Sequence, residues 1–527
     1  MHTDARQLEN NTRIAGDVCI IGAGAAGISI ALEWINSPLK VILLESGGFD
    51  YEGEIQDLYR GKRTGLPYYP LESSRLRYFG GSTGHWAGFC SPLDPIDFKS
   101  RDWVPHSGWP FGAETLAPYY KRAHHLLELS EFEYDWRYWN KKDPDFEPLP
   151  FDEDVIIPKL WQFSAPTRFG KRYRKNILEA SNVELFTYAT VTSVNADQYG
   201  KQVTSVTVKN MTGKTLRVDA RYFVIATGGI QNAALLLASN NVMPHGIGND
   251  HDQVGRYFME HLEITAADLL LDRPHYFSAY MLDFFFTKVR IEMAVHEKQQ
   301  VLHKILNATA AISVKESDQH DNAAPGNRKE DEITSTGKSN QSDKHLRGWE
   351  TAEKYYHEQK PEKPKPRQST AFELFCRIEQ APDPDSRVTL DIEKDPLGFP
   401  RAALHWKFGS LERYTLRKLL ELIGQQAGLS GLGRLKMKDW LADEGDAAFP
   451  STVAGGWHHM GTTRMHDDKK QGVVDADCKV HGIGNLYVAG SSCFATAGAA
   501  NPTLTLVAMA LRLSDYLKQK LGRCEQT

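Results

Sequence analysis

Apolar and polar positions run along this chain with two different periods, and the switch between them divides it. Val18-Cys-Ile-Ile21 is a short, mostly β-branched run, residues 28–35 have helical spacing, and Val41-Ile-Leu-Leu44 is again a short apolar run. This order predicts strand, tight turn, helix and second strand. The switch recurs at Arg221-Tyr-Phe-Val-Ile-Ala-Thr-Gly-Gly229, which leads into a helical pattern over 231–239. Buried parallel strands that enter glycine turns at two places imply one doubly wound α/β sheet. Between them, helical spacing at 113–129 and 171–181 is followed by β-branched segments at 183–194 and 203–208. Beyond 263 the pattern becomes strand after strand (264–271, 308–314, 371–379, 387–392, 402–408), then a helix over 411–427. Consecutive strands predict a second, mostly antiparallel sheet covered by helices. A strand at 485–492 and a final helix from Pro502 to about residue 517 return to the first pattern.

The expected organisation is therefore a nucleotide-binding part over 1–262, a second domain over 263–452, and a C-terminal part of the first domain over 453–527. Lys315 to Gln368 is rich in charged and amide residues with few aliphatics. Its composition favours a solvated or disordered excursion over a lid or docking loop. At 527 residues the chain is long enough for two to three domains and a large buried site. With 62 Lys and Arg against 67 Asp and Glu, a net charge of -5, it has no general attraction for nucleic acid or an anionic membrane. The expected partner is a small molecule. Polar residues precede Asp17 and no later apolar stretch is long enough to span a bilayer, so the expectation is a cytoplasmic protein. The six cysteines lack CxxC or CxxCH spacing, and no metal site is expected.

The chemistry begins at Gly22, Gly24 and Gly27, a GxGxxG lying between the first predicted strand and its helix, with Glu45 closing the second strand. The first glycine permits the turn, the second lets backbone approach a diphosphate, and the third lets helix meet strand, while the acid reaches a ribose hydroxyl. The motif serves NAD and FAD alike. Its position near the N-terminus, with no second copy, argues for FAD. The loop Arg77-Tyr-Phe-Gly-Gly-Ser-Thr-Gly-His-Trp-Ala-Gly88 suits backbone laid against a large planar ligand; an ordinary surface turn with a half-buried Trp fits these residues equally well. Near the C-terminus, Gly455-Gly-Trp-His-His-Met-Gly-Thr-Thr-Arg-Met465, Gly490-Ser-Ser492 and Asn501-Pro-Thr-Leu-Thr505 form a second dense block. Pro502 opens the last helix, with Asn501 at its cap position. Gly490 and Ser491 offer backbone N–H groups to a polar ligand.

These motifs, in this order, resemble the glucose–methanol–choline family of FAD-dependent oxidoreductases: Gly22 to Gly27 with Glu45, Gly80-Gly-Ser-Thr-Gly-His-Trp86, Ala226-Thr-Gly-Gly229, His458-x-x-Gly-Thr462 and Asn501 to Thr505. The C-terminal Asn-Pro-Thr and the His-Trp pair are similar to the branch of pyranose oxidases, bacterial glycoside 3-oxidases and fructose and gluconate dehydrogenases. The resemblance implies FAD as cofactor and a sugar or glycoside as substrate, with oxygen or another acceptor taking the electrons. It implies His458 as the base and Asn501 as the donor to the same substrate oxygen. Gly81, Ser82, His85, Trp86, Val191, Gly490, Ser491 and Thr503 are implied as cofactor contacts. A covalent flavin link through His85 is allowed but not favoured, since Gly84 stands where the linked pattern has a threonine. A neutral imidazole suits a base near pH 7. Outside the family context a His-His pair is more often structural or metal-ligating. His459 carries no chemistry beyond a flavin or substrate contact, and Arg464 and His261 read as a structural salt bridge or cap. The alternatives are a non-sugar alcohol or aminoglycoside as substrate, or a lyase that keeps FAD without redox turnover.

Overall fold

The structure, a computed structural model, describes residues 1–281, 288–315, 368–442 and 449–524. The polar stretch between Lys315 and Gln368 lies outside the described residues apart from its ends.

A parallel sheet forms the first layer. Its strands run in the order His2–Asp4, Val183–Thr187, Val41–Leu44, Arg13–Ile21 and Thr215–Ile225, with Leu486–Val488 paired to the C-terminal end of the last. Val18 to Ile21 and Val41 to Leu44 are at most 2% exposed, as strands covered on both faces require. Burying each such aliphatic side chain contributes about 1.5–3 kcal/mol before the cost of ordering the chain. Helices Ala25–Glu33 and Gly229–Ala238 follow the two strands that end in glycine turns. The C-terminal helix Pro502–Cys524 packs on Ala25–Glu33 and Ala113–Leu126. This is the α/β, doubly wound architecture expected.

The second layer is an antiparallel sheet in the order Gly433–Met437, His261–His275, Ser369–Glu379, Ala308–Val314, Val289–Val295, Ile156–Phe163 and Phe89–Cys90. Helix Ser410–Leu429 packs against it. Two of its strands come from sequence ahead of residue 263, so the layers interleave along the chain.

Four local expectations change. The segment 183–194 breaks at Tyr188, whose φ of 53° is left-handed. Val183–Thr187 joins the parallel sheet, while Thr190–Ala196 pairs antiparallel with Val203–Lys209. The break lies where Tyr188 and Ala189 donate to the carbonyls of Gly47 and Glu45. The helix over 171–181 is two short helices, Phe169–Arg172 and Arg174–Glu179, meeting at Tyr173, whose hydroxyl donates to the Leu126 carbonyl at 2.7 Å. The strands Arg387–Lys394 and Pro400–Trp406 lie apart from the large antiparallel sheet: they pair antiparallel with each other, and Pro400–Trp406 pairs parallel with Lys62–Gly65. The strand over 485–492 shortens to Leu486–Val488, because Gly490 turns the chain at φ 116°.

Candidate active site

A cavity of about 600 Å³ runs from the first glycine turn to the edge of the antiparallel sheet. At the nucleotide end the three glycines do three different jobs. Gly22 has φ 103°, and a Cβ there would meet the Ala226 carbonyl oxygen at 2.6 Å. A Cβ on Gly27 would meet the Gly22 carbonyl oxygen at 1.9 Å, so this glycine sits in the helix–strand contact and not on the cavity wall. Gly24 has nothing within 4 Å of its would-be Cβ and lines the cavity. Space kept open there, at the start of a helix, fits a diphosphate. Glu45 lines the same end, buried, its carboxylate accepting from the N–H groups of Ala23 at 3.0 Å and Gly47 at 2.9 Å. Burial pushes its carboxyl upward and the backbone donors oppose that.

The middle of the cavity is walled by Gly81, Ser82, His85 and Trp86 on one side and by Val191, Gly490, Ser491 and Thr503 on others. Ser82 Oγ accepts from the Leu76 N–H at 3.2 Å, and Trp86 Nε1 donates to the Thr167 carbonyl at 3.0 Å, which pins the loop. A Cβ on Gly84 would lie 1.7 Å from the Tyr78 hydroxyl. The His85 ring stacks on Trp457 with centroids 5.0 Å apart, and burial, then Arg168, lowers its pKa to about 4. Trp457 has φ 60°, an unusual conformation for a bulky residue, and its buried indole N–H has no acceptor among the described residues. Open space at Gly24, Gly228 and Gly490, together with that unused donor, fits a large bound cofactor.

At the far end three segments distant in sequence converge. His458 Nε2 lies 3.1 Å from Asn501 Nδ2, and His458 Nδ1 lies 2.9 Å from His261 Nδ1. Asn501 sits just before helix Pro502–Cys524, but the hydrogen bonds of its carboxamide run to His458 and to Trp161, whose Nε1 donates to Oδ1 at 3.0 Å. The backbone of the 456–458 turn is held by Glu260, whose Oε2 accepts from Gly456 N at 3.1 Å and His458 N at 2.8 Å. The other Glu260 oxygen accepts from Tyr68, whose hydroxyl also lies 2.9 Å from His459 Nε2. Burial raises the Glu260 carboxyl to about 8. Burial, then Arg377 and His459, holds His458 well below the ordinary imidazole range, so it is neutral at pH 7. Burial, then Arg75 and His85, takes His459 to about 3.

Two readings from sequence change. His261 is no salt bridge or cap; it touches His458 directly. Arg464 is structural, but it is tied to the carbonyls of His106 and Gln471. Sequence reasoning missed Arg377 and Glu263, an ion pair at 2.9 Å that lines the cavity beside His458, and Trp161 behind Asn501. All three lie on strands of the antiparallel sheet or its edge, where alternation reports a buried face but not which site it serves.

Comparison with known proteins bears on both ends of this cavity. Residues 17–247 match the FAD dependent oxidoreductase family and residues 382–510 the GMC oxidoreductase family. The chain is 24% identical to 2-methyl-1,2-propanediol dehydrogenase of Mycolicibacterium austroafricanum, over 96% of each protein. It is 22% identical to the fructose dehydrogenase large subunit of Gluconobacter japonicus, over 97% of this chain and 99% of that one. The crystal structure of formate oxidase superposes with a TM-score of 0.57 at 16% identity, covering 97% of this chain and 99% of that chain, a likeness of fold. The first match holds the glycine turn, Glu45 and the loop from Arg77 to Gly88; the second holds His458 and Asn501. The chain thus carries an FAD dependent oxidoreductase domain followed by a GMC oxidoreductase C-terminal domain.

Proposed function

We propose that this enzyme oxidises a secondary hydroxyl of a sugar or glycoside to the ketone, with His458 as base and Asn501 as the orienting donor. The observation that carries the proposal is the meeting of His458 Nε2 and Asn501 Nδ2 at 3.1 Å on the cavity wall. Bound FAD supplies the hydride acceptor. A substrate hydroxyl entering between these two side chains donates its proton toward Nε2 and accepts from Nδ2, so one protein–protein hydrogen bond gives way to two substrate bonds. The Asn501 N–H then faces the oxygen on which negative charge develops, an arrangement worth about 3 kcal/mol in comparable sites. The paired Arg377 and Glu263 offer charged donors and acceptors to further hydroxyls of a polyol.

A second reading, a small non-sugar diol or other alcohol, is favoured by the likeness to a propanediol dehydrogenase over nearly the whole chain. Oxygen or another acceptor regenerates the oxidised enzyme. The flavin is held without a covalent bond in this proposal: the Tyr78 hydroxyl fills the space that a side chain at position 84 would need. The five cysteines described with their side chains are free and buried, which suits a reducing compartment, and a cytoplasmic location is part of the same reading. No helix among the described residues is long and apolar enough to cross a membrane.

Anaerobic titration of the purified yellow protein with monosaccharides, glycosides, aminoglycosides and vicinal diols tests this. Bleaching by a sugar or glycoside supports the first reading and bleaching by diols alone the second. A flavin that stays oxidised with all of them overturns both and favours a non-redox role. Acid precipitation then reports the linkage: colour in the supernatant is expected, and colour in the pellet refutes the non-covalent assignment.

A further inference from the structure

The hydrogen-bond chain behind His458 has donors and acceptors of fixed character at both ends. Gly498 contributes a carbonyl oxygen, which can only accept, and His261 Nε2 lies 2.9 Å from it. His261 Nε2 therefore carries a proton. Burial, then His458 and Arg377, holds His261 well below the ordinary imidazole range, so the ring is neutral and its Nδ1 is bare. The proton in the 2.9 Å contact between the two rings then belongs to His458 Nδ1. A neutral His458 protonated at Nδ1 has a bare Nε2.

The other end gives the same answer independently. Trp161 Nε1 can only donate, so the Asn501 atom 3.0 Å from it is the carbonyl oxygen. The Asn501 amide nitrogen then faces His458 Nε2 at 3.1 Å, and that nitrogen has to accept. Among the charged groups around the pair, Arg377 opposes protonation of both rings and Glu263 favours it at His261. Glu260 meets this turn through the backbone N–H groups of Gly456 and His458, and its other oxygen accepts from Tyr68. Gly498 is itself held in place: its N–H points to Glu379, which Arg101 clamps with two bonds of 2.8 and 2.6 Å.

We propose that His261 is a positioning residue that fixes the tautomer of His458, keeping the proton on Nδ1 and the lone pair on Nε2 directed at the substrate hydroxyl. This rests on His458 acting as the base, but the tautomer itself can be observed without turnover. The role is that of a group that orients a catalytic imidazole without touching substrate, and the analogous partners of metal-bound imidazoles are typically worth about 10- to 100-fold.

The test uses FAD-loaded enzyme labelled with nitrogen-15 histidine, the His458 signals being assigned by their loss in His458→Gln. Expected are the chemical shifts of a protonated Nδ1 and a bare Nε2 in the unaltered protein. His261→Leu removes the acceptor and is expected to give mixed tautomers. It should also slow anaerobic flavin reduction by about 100-fold with little change in the substrate concentration for half-saturation. His261→Asn places an amide oxygen where Nδ1 stood and should recover most of both signals. A protonated Nε2 in the unaltered enzyme overturns the proposal, as does a His261→Leu protein with unchanged nitrogen shifts and reduction rate. Should the Leu variant fail to fold, the unaltered protein's spectrum and the Asn variant still decide. If no alcohol bleaches the unaltered enzyme, the assigned reaction fails while the nitrogen spectrum still judges the tautomer.

Discussion

The two ends of the cavity are built by opposite means. The nucleotide end is made of backbone: Gly22 and Gly27 let main chain approach main chain, Gly24 leaves space open, and the Glu45 carboxylate is held by two N–H groups. The proposed catalytic end is made of side chains brought from far apart. His458 meets His261 across 197 residues and Asn501 across 43, and Asn501 meets Trp161 across 340. A backbone site depends on conformation, so damage to it falls on folding and cofactor retention. A side-chain site depends on which atom carries which proton, so damage falls on rate while the cofactor stays.

Substitutions can break that contrast, and the largest effect is expected at the base. His458→Ala removes the proposed proton acceptor, and flavin reduction should slow by about 10³-fold with FAD content unchanged. Stopped-flow reduction and the flavin-to-protein absorbance ratio measure the two quantities. Loss of FAD in this variant would erase the distinction between the ends. Asn501→Ala comes next. It removes the donor to the developing alkoxide and should cost about 10²-fold in the same rate, again with FAD retained.

At the other end a pair of glycine variants sharpens the comparison. Gly22→Ala forces a left-handed φ of 103° on a residue with a Cβ and drives that Cβ against the Ala226 carbonyl. It should lower the stability of the FAD-free protein by about 1–3 kcal/mol and reduce FAD retention. Gly24→Ala meets nothing within 4 Å, so the FAD-free protein should melt unchanged while FAD affinity falls, because the new methyl enters the space left for the ligand. Equal melting of the two variants would contradict the separate roles assigned to these glycines.

The same contrast explains what could be read in the chain before any coordinates. Gly22, Gly24, Gly27 and Glu45 are legible because their meaning is local: strand, turn, helix and acid follow within one stretch. The parallel sheet follows from the short apolar runs for the same reason. The split at Tyr188 was not legible, since the β-branched pattern on both sides continues through it and only the carbonyls of Glu45 and Gly47, far away in sequence, turn the chain there. His458 and Asn501 came from motif resemblance, not from periodicity. His261 read only as a salt bridge or cap, since nothing in the residues around it reveals that its Nδ1 faces another imidazole. Trp161 and Arg377 carried only the alternation of buried strands, which names a face and not a partner.

Titration offers the smallest and most discriminating test, because buried histidines and buried carboxyls pull stability in opposite directions as pH changes, with Glu260, raised to about 8, acting in the same sense as Glu45. Around the catalytic end, His85 is lowered to about 4 and His459 to about 3 by burial, and an unfolded histidine titrates near 6.5. Below pH 6.5 the unfolded chain takes up protons that these folded rings refuse. Their contribution to stability is therefore complete above pH 6.5 and is lost as pH falls toward 4. For one such histidine the loss is about 2 kcal/mol by pH 5. Glu45 at the nucleotide end is shifted upward by burial, so the folded state holds its proton at pH values where the unfolded chain has released it. Its contribution runs the other way, weakening as pH rises through the range above 4.5. Unfolding of the FAD-free protein in urea at pH 7 and pH 5 measures how stability changes between the two values. Relative to the unaltered protein, His459→Gln should be destabilised by the lower pH about 2 kcal/mol less, whereas Glu45→Gln should be destabilised by it more, since it removes a group that favours the folded state as pH falls. Changes of the same sign in both variants would contradict the opposite pulls assigned to His459 and Glu45.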